Sequence, residues 1–197
     1  MRAVLGCLVG LALGCAAPIS IQLPDVQQPY AVHKIVLLPF TSEPVPGGSV
    51  EGDAAAVVTT RVLQALTQET RLDIVPPGEA VRVSAAGKTP SGVELRQQFG
   101  VDAILTGVVH RYVERIGGPS GAMKPASVWF SLNLRTPDGT PLWSGTYEES
   151  QRALSEDLGS FSRAWDRGFR WVTAADLAGY GARQLSRSLA LDLELWS

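Results

Sequence analysis

The chain of 197 residues is poor in the side chains on which most metal and catalytic sites depend, with only 2 cysteines and 2 histidines. Metal sites combine several His, Cys or carboxylate ligands at short spacings, and no such spacing surrounds His33 or His110. Charge is also nearly balanced, at −2 for pH 7, whereas nucleic-acid partners require a strongly basic surface. We therefore expect no metal, no cofactor and no nucleic-acid partner.

Catalytic motifs are missing as well. Residues 87–89 end like a phosphate-binding loop, but Arg82 stands where the motif needs glycine, and Pro90 follows where a helix should begin. Ser120 is preceded by proline and lacks the strand-to-helix context of a nucleophilic serine. Glu148 and Glu149 are adjacent in a predicted strand, so they point to opposite faces. We expect a protein that is not an enzyme, and we identify no small-molecule substrate.

Long apolar runs are confined to the N-terminus. Arg2 precedes an apolar run over residues 4–13, which is too short to span a membrane and has the length of a signal-peptide core. Cys15 follows Gly14 and resembles the lipidated cysteine of a bacterial lipobox, with Ala12 where that motif usually has leucine. We predict a signal peptide over residues 1–14 and acylation of Cys15, palmitate included. The alternative is an ordinary secretory peptide cut near residues 16–17.

Lipidation defines the predicted membrane partner, because several acyl chains on one cysteine anchor a protein stably. Cleavage before Cys15 leaves one cysteine, so the domain folds without an internal disulfide. In such lipoproteins Asp after the cysteine is the usual inner-membrane signal; Ala16 instead implies the outer membrane, facing the periplasm. Residues 15–32, which contain three prolines, are predicted to be an extended tether to a single domain over residues 33–197.

The domain shows the order β-α-β-α-α-β-β-β-α. Its predicted central strand lies within residues 99–112, where an apolar run passes into alternation that places Val109 with Arg111 and His110 with Tyr112. Gly100 is predicted to end the preceding helix, and Gly107 to mark a bulge or a close backbone approach. We predict an α/β fold, three-layer-like, whose mixed sheet is parallel in its first half and an antiparallel meander in its second half.

Helical periodicity and capping residues place the helices. We expect one over residues 51–69, one over 78–84, one capped by Ser91 with Glu94 in a capping box, and one from Thr173 to about residue 190. The residues predicted to face the core are Val58, Val62, Ala65, Leu66, Leu177, Leu185 and Leu189. Residues 137–139 predict a tight turn between two strands.

The segments 34–40, 72–75 and 99–107 together resemble a superfamily of bacterial envelope lipoproteins. This superfamily includes the curli secretion channel lipoprotein, the activators of penicillin-binding proteins and the N-terminal domain of the Tol-Pal propeller protein. The resemblance extends over about residues 34–151. It implies a non-enzymatic domain that contacts another periplasmic or envelope protein, but these motifs specify a fold rather than a partner.

Aromatic side chains interleaved with arginines give the candidate partner-binding residues, because Trp and Arg are enriched in interface hot spots. Trp129 lies opposite the apolar face of its strand, where we expect a helix to cover it, exposure being the alternative. The other candidates lie in one irregular segment: Arg163, Trp165, Arg167, Phe169, Arg170 and Trp171. That segment is equally compatible with a loop folded over the core. The functional hypothesis is an anchored binding or accessory module; the alternative is a subunit of an oligomeric envelope secretion or channel complex.

Overall fold

The computed structural model describes residues 18–24, 30–46, 48–83, 89–118, 121–151 and 172–194. The helices in these ranges are α1 (Ala54–Glu69), α2 (Pro77–Val83), α3 (Gly92–Phe99) and α4 (Ala174–Glu194). The strands are β1 (Ile19–Gln22), β2 (Lys34–Leu37), β3 (Thr41–Ser42), β4 (Asp73–Val75), β5 (Ala103–Val113), β6 (Ile116–Gly118), β7 (Gly121–Lys124), β8 (Ser127–Arg135) and β9 (Pro141–Ser150).

Seven strands form one mixed sheet in the order β1-β9-β8-β5-β2-β4, with β3 pairing to the outer part of β5. The pairs that β2 makes with β4 and β5 are parallel, and those that connect β5, β8, β9 and β1 in turn are antiparallel. The predicted fold class is confirmed. The predicted central strand is also confirmed, because β5 has partners on both sides.

The sheet lies between two layers of helices. On one face α1 and α4 pack against each other and against the strands, and the main core there includes Leu105, Phe130, Tyr147 and Leu185. On the other face α2 and α3 form a smaller core with β2, β4 and the start of β5, and among the described residues this core takes none from β8 or β9. Within the described ranges, helices therefore cover only about half of the second face.

Capping residues correctly predicted where several of the helices begin and end. Ser91 and Glu94 form the predicted capping box, and Gly100 ends α3 with φ of 65°. At the start of α4, the Thr173 hydroxyl accepts from the Asp176 backbone N–H at 3.1 Å, and the Asp176 carboxylate accepts in return from the Thr173 N–H. All seven residues predicted to face the core are buried. Helix α1 begins three residues later than predicted, after Gly52, whose φ of 60° is left-handed.

The predicted tether over residues 15–32 is longer than the structure allows. Residues 19–22 form β1, which pairs antiparallel with β9 at the edge of the sheet, and Ile19 and Ile21 pack against the main core. The extended conformation of residues 19–22 comes from pairing with β9, which is distant in the sequence. The flanking prolines at positions 18 and 24 indicated a tether rather than a strand. The described fold therefore already includes residues 18–24, ahead of the domain start predicted at residue 33.

Gly107 is a close backbone approach, one of its two predicted roles. A Cβ atom there would lie 2.5 Å from the ring of Phe40, and Phe40 is itself buried in the main core. The irregularity in the strand occurs elsewhere, between Val109 and Arg111. Packing on the face of the sheet, rather than strand geometry, therefore explains this glycine.

Replacing two glycines of α4 with alanine should change the free energy of unfolding in opposite directions. A Cβ at Gly181 would lie 2.4 Å from the buried ring of Tyr147, whereas at Gly179 the nearest contact is 3.7 Å. We expect Gly181→Ala to lower the free energy of unfolding by about 1–3 kcal/mol through overpacking. Gly179→Ala should raise it by about 0.5–1 kcal/mol, because alanine favours the helix. Urea unfolding measures both, and a shift of the same sign in the two variants would contradict this packing.

Candidate interaction surface

The half of the sheet that α2 and α3 leave uncovered is polar, and we call it the open face. Across β1, β9 and β8 its rows are in register, Ser20 with Thr146 and Ser131, and Gln22 with Ser144 and Asn133. Antiparallel sheets commonly leave one face to solvent in this way. The short hydroxyl and amide side chains therefore form a flat surface. Larger side chains next to them protrude from it.

A bulge in β5 places two large side chains side by side on the open face. The register of β5 against β8 shifts between Val109 and Arg111, so Val109 pairs with Phe130 and Arg111 with Trp129. Such a bulge turns consecutive residues toward the same face of a sheet. His110 and Arg111 both contact Trp129 on the open face, while Val109 and Tyr112 belong to the main core. The strict alternation predicted for this stretch is therefore wrong.

These side chains form the Trp129 patch, which we define as His110, Arg111, Trp129, Ser131 and Glu148. The His110 ring lies 4.9 Å from the Trp129 ring, and its Nε2 is 2.9 Å from the Ser131 hydroxyl oxygen. The Arg111 guanidinium stands over the Trp129 ring at 5.7 Å. Arg111 continues across β8 to an ion pair with Glu148 on β9. The patch thus joins three strands, and two residues of β5 contact the Trp129 ring.

Burial in the Trp129 patch is partial. The Arg111 side chain is 26% exposed and the Glu148 side chain 54% exposed, so their ion pair contributes little to stability. The Arg111 Nε is buried without a hydrogen-bond partner among the described residues, which leaves one donor of a fixed guanidinium unused. The ring contacts that the described residues make with Trp129 come from neighbouring strand β5, and the helix cover expected for it stays a prediction.

The two adjacent carboxylates of β9 point to opposite faces, as predicted. Glu148 pairs with Arg111 on the open face, whereas Glu149 accepts from the Tyr147 hydroxyl at 2.5 Å. The two groups therefore cannot act on one substrate atom, because the sheet separates them.

A carboxylate junction fixes the end of the sheet next to the Trp129 patch. Glu51 accepts from the Glu114 backbone N–H at 2.9 Å and from Lys124 Nζ at 2.8 Å. These donors, Lys124 foremost, hold the pKa of Glu51 below its ordinary value. Burial, followed by the nearby Glu114 carboxylate, raises the pKa of Tyr112 to about 12. The Tyr112 hydroxyl therefore stays protonated at physiological pH. Its side chain packs in the core rather than taking part in acid–base chemistry.

Most of the predicted partner-binding residues lie outside the described residues. These are Arg163, Trp165, Arg167, Phe169, Arg170 and Trp171, together with the predicted lipidation site Cys15. Of the predicted set, the structure places only Trp129. It adds His110 and Arg111 on the same surface, which the sequence pattern did not bring together because their contact depends on the bulge.

The described part of the chain shows few features of a metal site, a ligand pocket or a membrane-spanning helix. The described ranges contain no cluster of three or more His, Cys, Asp or Glu side chains arranged to hold a metal. A shallow hollow of about 210 Å³ beside β1, lined in part by Gln22, Asn133 and Trp143, is smaller than a typical ligand pocket. None of the described helices combines the length and apolar character that crossing a membrane requires.

No protein-family model and no curated protein matches the sequence. Solved structures do match in three dimensions. The PelC dodecamer from Paraburkholderia phytofirmans matches with a TM-score of 0.54 at 14% identity, over 87% of this chain and 96% of that chain. A point variant of the same dodecamer gives 0.55 at 13% identity, over 87% and 98%. Lipoprotein GNA1162 from Neisseria meningitidis gives 0.45 at 21% identity, over 70% and 97%.

The match to PelC extends over nearly the whole of that protein, so it concerns an entire domain rather than one motif. At this identity the likeness establishes a shared fold and no shared activity. The narrower resemblance to the curli, penicillin-binding-protein and Tol-Pal proteins stays a prediction. The chain has the same fold as a bacterial protein that assembles from twelve copies.

Proposed function

We propose that this chain is a lipid-anchored accessory module of the bacterial outer membrane that acts in the periplasm by binding other envelope proteins, without catalysis. The observation that carries the proposal is the Trp129 patch on a sheet face that is otherwise flat and polar. A tryptophan stacked with arginine supplies the large, rigid contact area typical of binding hot spots. The predicted signal peptide and Cys15 supply the anchor.

The geometry of the patch suits a protein partner. Trp129 is half-buried, so its ring is already oriented by His110 and Arg111 before a partner arrives. Preorganised side chains lose less conformational entropy on binding. The exposed Glu148 carboxylate adds a polar group at the rim, where it favours specificity more than affinity.

A second candidate function is supported by the PelC match. In that candidate the chain is a subunit of a ring of identical copies within an envelope secretion or channel complex. Among the described residues, both terminal strands of the sheet, β1 and β4, have one ladder partner each. Such edges can join copies head to tail, and a rotation that closes gives a ring.

The size and composition of the complex distinguish the two candidates. The full chain, extracted from membranes in a mild detergent, should elute with a different envelope protein if it is an accessory module. A ring subunit should instead give a mass that is an integral multiple of one chain. Light scattering with peptide identification measures both properties. A monodisperse monomer with no associated protein would contradict both candidates.

A further inference from the structure

Strand β1 attaches the N-terminal segment to the sheet immediately after the predicted anchor. The register joins Ile19 to Tyr147 and Gln22 to Ser144, and the Pro18 carbonyl accepts from the Glu148 N–H at 2.9 Å. Ile19 and Ile21 add apolar packing to these backbone bonds. Only residues 16 and 17 separate Cys15 from the attached chain.

The direction of β1 identifies which end of the sheet lies next to the anchor. Because β1 is antiparallel to β9, its first residue lies near the last residues of β9 and the first of β8. We call this the anchor end; it also carries Ile116 and the carboxylate junction of Glu51 and Lys124. The turn over residues 137–139 joins β8 to β9 at the opposite end.

The length of chain between Cys15 and Pro18 limits the separation of the domain from the membrane. Three residue steps span at most about 10 Å when fully extended. Strand β8 has nine residues, so the opposite end lies about 27 Å farther along the strands. We propose that the anchor end rests against the lipid surface and that the 137–139 turn projects away from it. This rests on the proposed lipidation of Cys15.

The groups at the anchor end are compatible with a lipid surface. Ile116 is 54% exposed although it is a large apolar side chain, and near a membrane it gains an apolar neighbour. Glu51 is paired with Lys124, and Glu114 accepts from the Ala174 backbone N–H at 3.3 Å. The Glu51–Lys124 pair has no net charge as a unit, so it neither attracts nor repels lipid headgroups strongly.

The orientation places the Trp129 patch near the membrane surface. Trp129 is the third residue of β8, and Glu148 is the third residue from the end of the antiparallel strand β9. Both therefore belong to the membrane-proximal third of the sheet. A partner that binds the patch is one that reaches to the lipid surface, such as a protein that is itself embedded or anchored there.

Quenching of a dye by a lipid-headgroup quencher tests this orientation. The full chain, purified from membranes, is labelled at Ile116→Cys or at Asp138→Cys and reconstituted into phosphatidylcholine vesicles with a headgroup-attached nickel quencher. We expect at least threefold stronger quenching at position 116. Inserting ten Gly/Ser residues between Ala17 and Pro18 adds up to about 35 Å of reach and should remove most of that difference.

The outcomes separate the two proposals. Equal quenching at both positions in an acylated protein, or a difference that survives the insertion, overturns the orientation alone. The mass of the N-terminal peptide reports acylation independently. A chain without acyl groups that fails to bind the vesicles overturns the lipidation of Cys15 and, with it, the orientation.

Discussion

Leu105→Asp is expected to abolish the fold. Leu105 is fully buried in β5, between Leu37 of β2 and Leu134 of β8. An unpaired carboxylate there costs several kcal/mol, which is comparable to the roughly 5–15 kcal/mol that stabilises a whole domain. Circular dichroism during thermal unfolding should show no cooperative transition.

Thr106→Asp is the matched control for that substitution. Thr106 is the next residue of β5 and faces the other side of the sheet, where it is only partly buried and pairs with Asn133. A carboxylate at this position keeps contact with water, so the cooperative transition should persist. Loss of folding in both variants, or in neither, would contradict the assignment of the two faces of β5.

Cys15→Ser is expected to remove membrane attachment through acyl chains. Serine lacks the thiol that receives the acyl chain, and without acyl chains no described helix offers a membrane span. The protein should appear in the soluble periplasmic fraction or as uncleaved precursor. Cys7→Ser is the matched control, because Cys7 lies within the predicted signal peptide and should leave attachment unchanged. Normal processing with continued membrane attachment of Cys15→Ser would show that the lipidation assignment is wrong.

The sequence predicted those features that depend on neighbouring residues. The capping box of Ser91 and Glu94 and the left-handed Gly100 involve residues within a few positions of each other, so local chemistry decides them. The buried stripe of α1 is likewise a matter of helical spacing. The mixed sheet could be predicted because the residues at both ends of each predicted strand marked where that strand begins and ends.

Features that depend on distant pairing were missed. Strand β1 has four residues, too few for periodicity, and its conformation comes from β9, more than a hundred positions later in the chain. The contact of His110 with Trp129 requires the bulge between Val109 and Arg111. The sequence offers one signal for that bulge: two consecutive polar residues interrupt an otherwise apolar strand. That signal does not show on which face of the sheet the two polar residues lie.

The most direct test of the binding-module proposal is photo-crosslinking of the intact protein in cells. A photoreactive residue at Glu148, on the Trp129 patch, should capture an envelope protein, and Trp129→Ala or Arg111→Ala should reduce the yield about tenfold or more, as expected of hot-spot residues. Arg135→Ala, an exposed arginine at the other end of β8, should leave the yield unchanged, and all variants should unfold near the wild-type midpoint. Undiminished capture in the patch variants, or a yield that only follows the folded fraction, would contradict the assignment of the Trp129 patch as the binding surface.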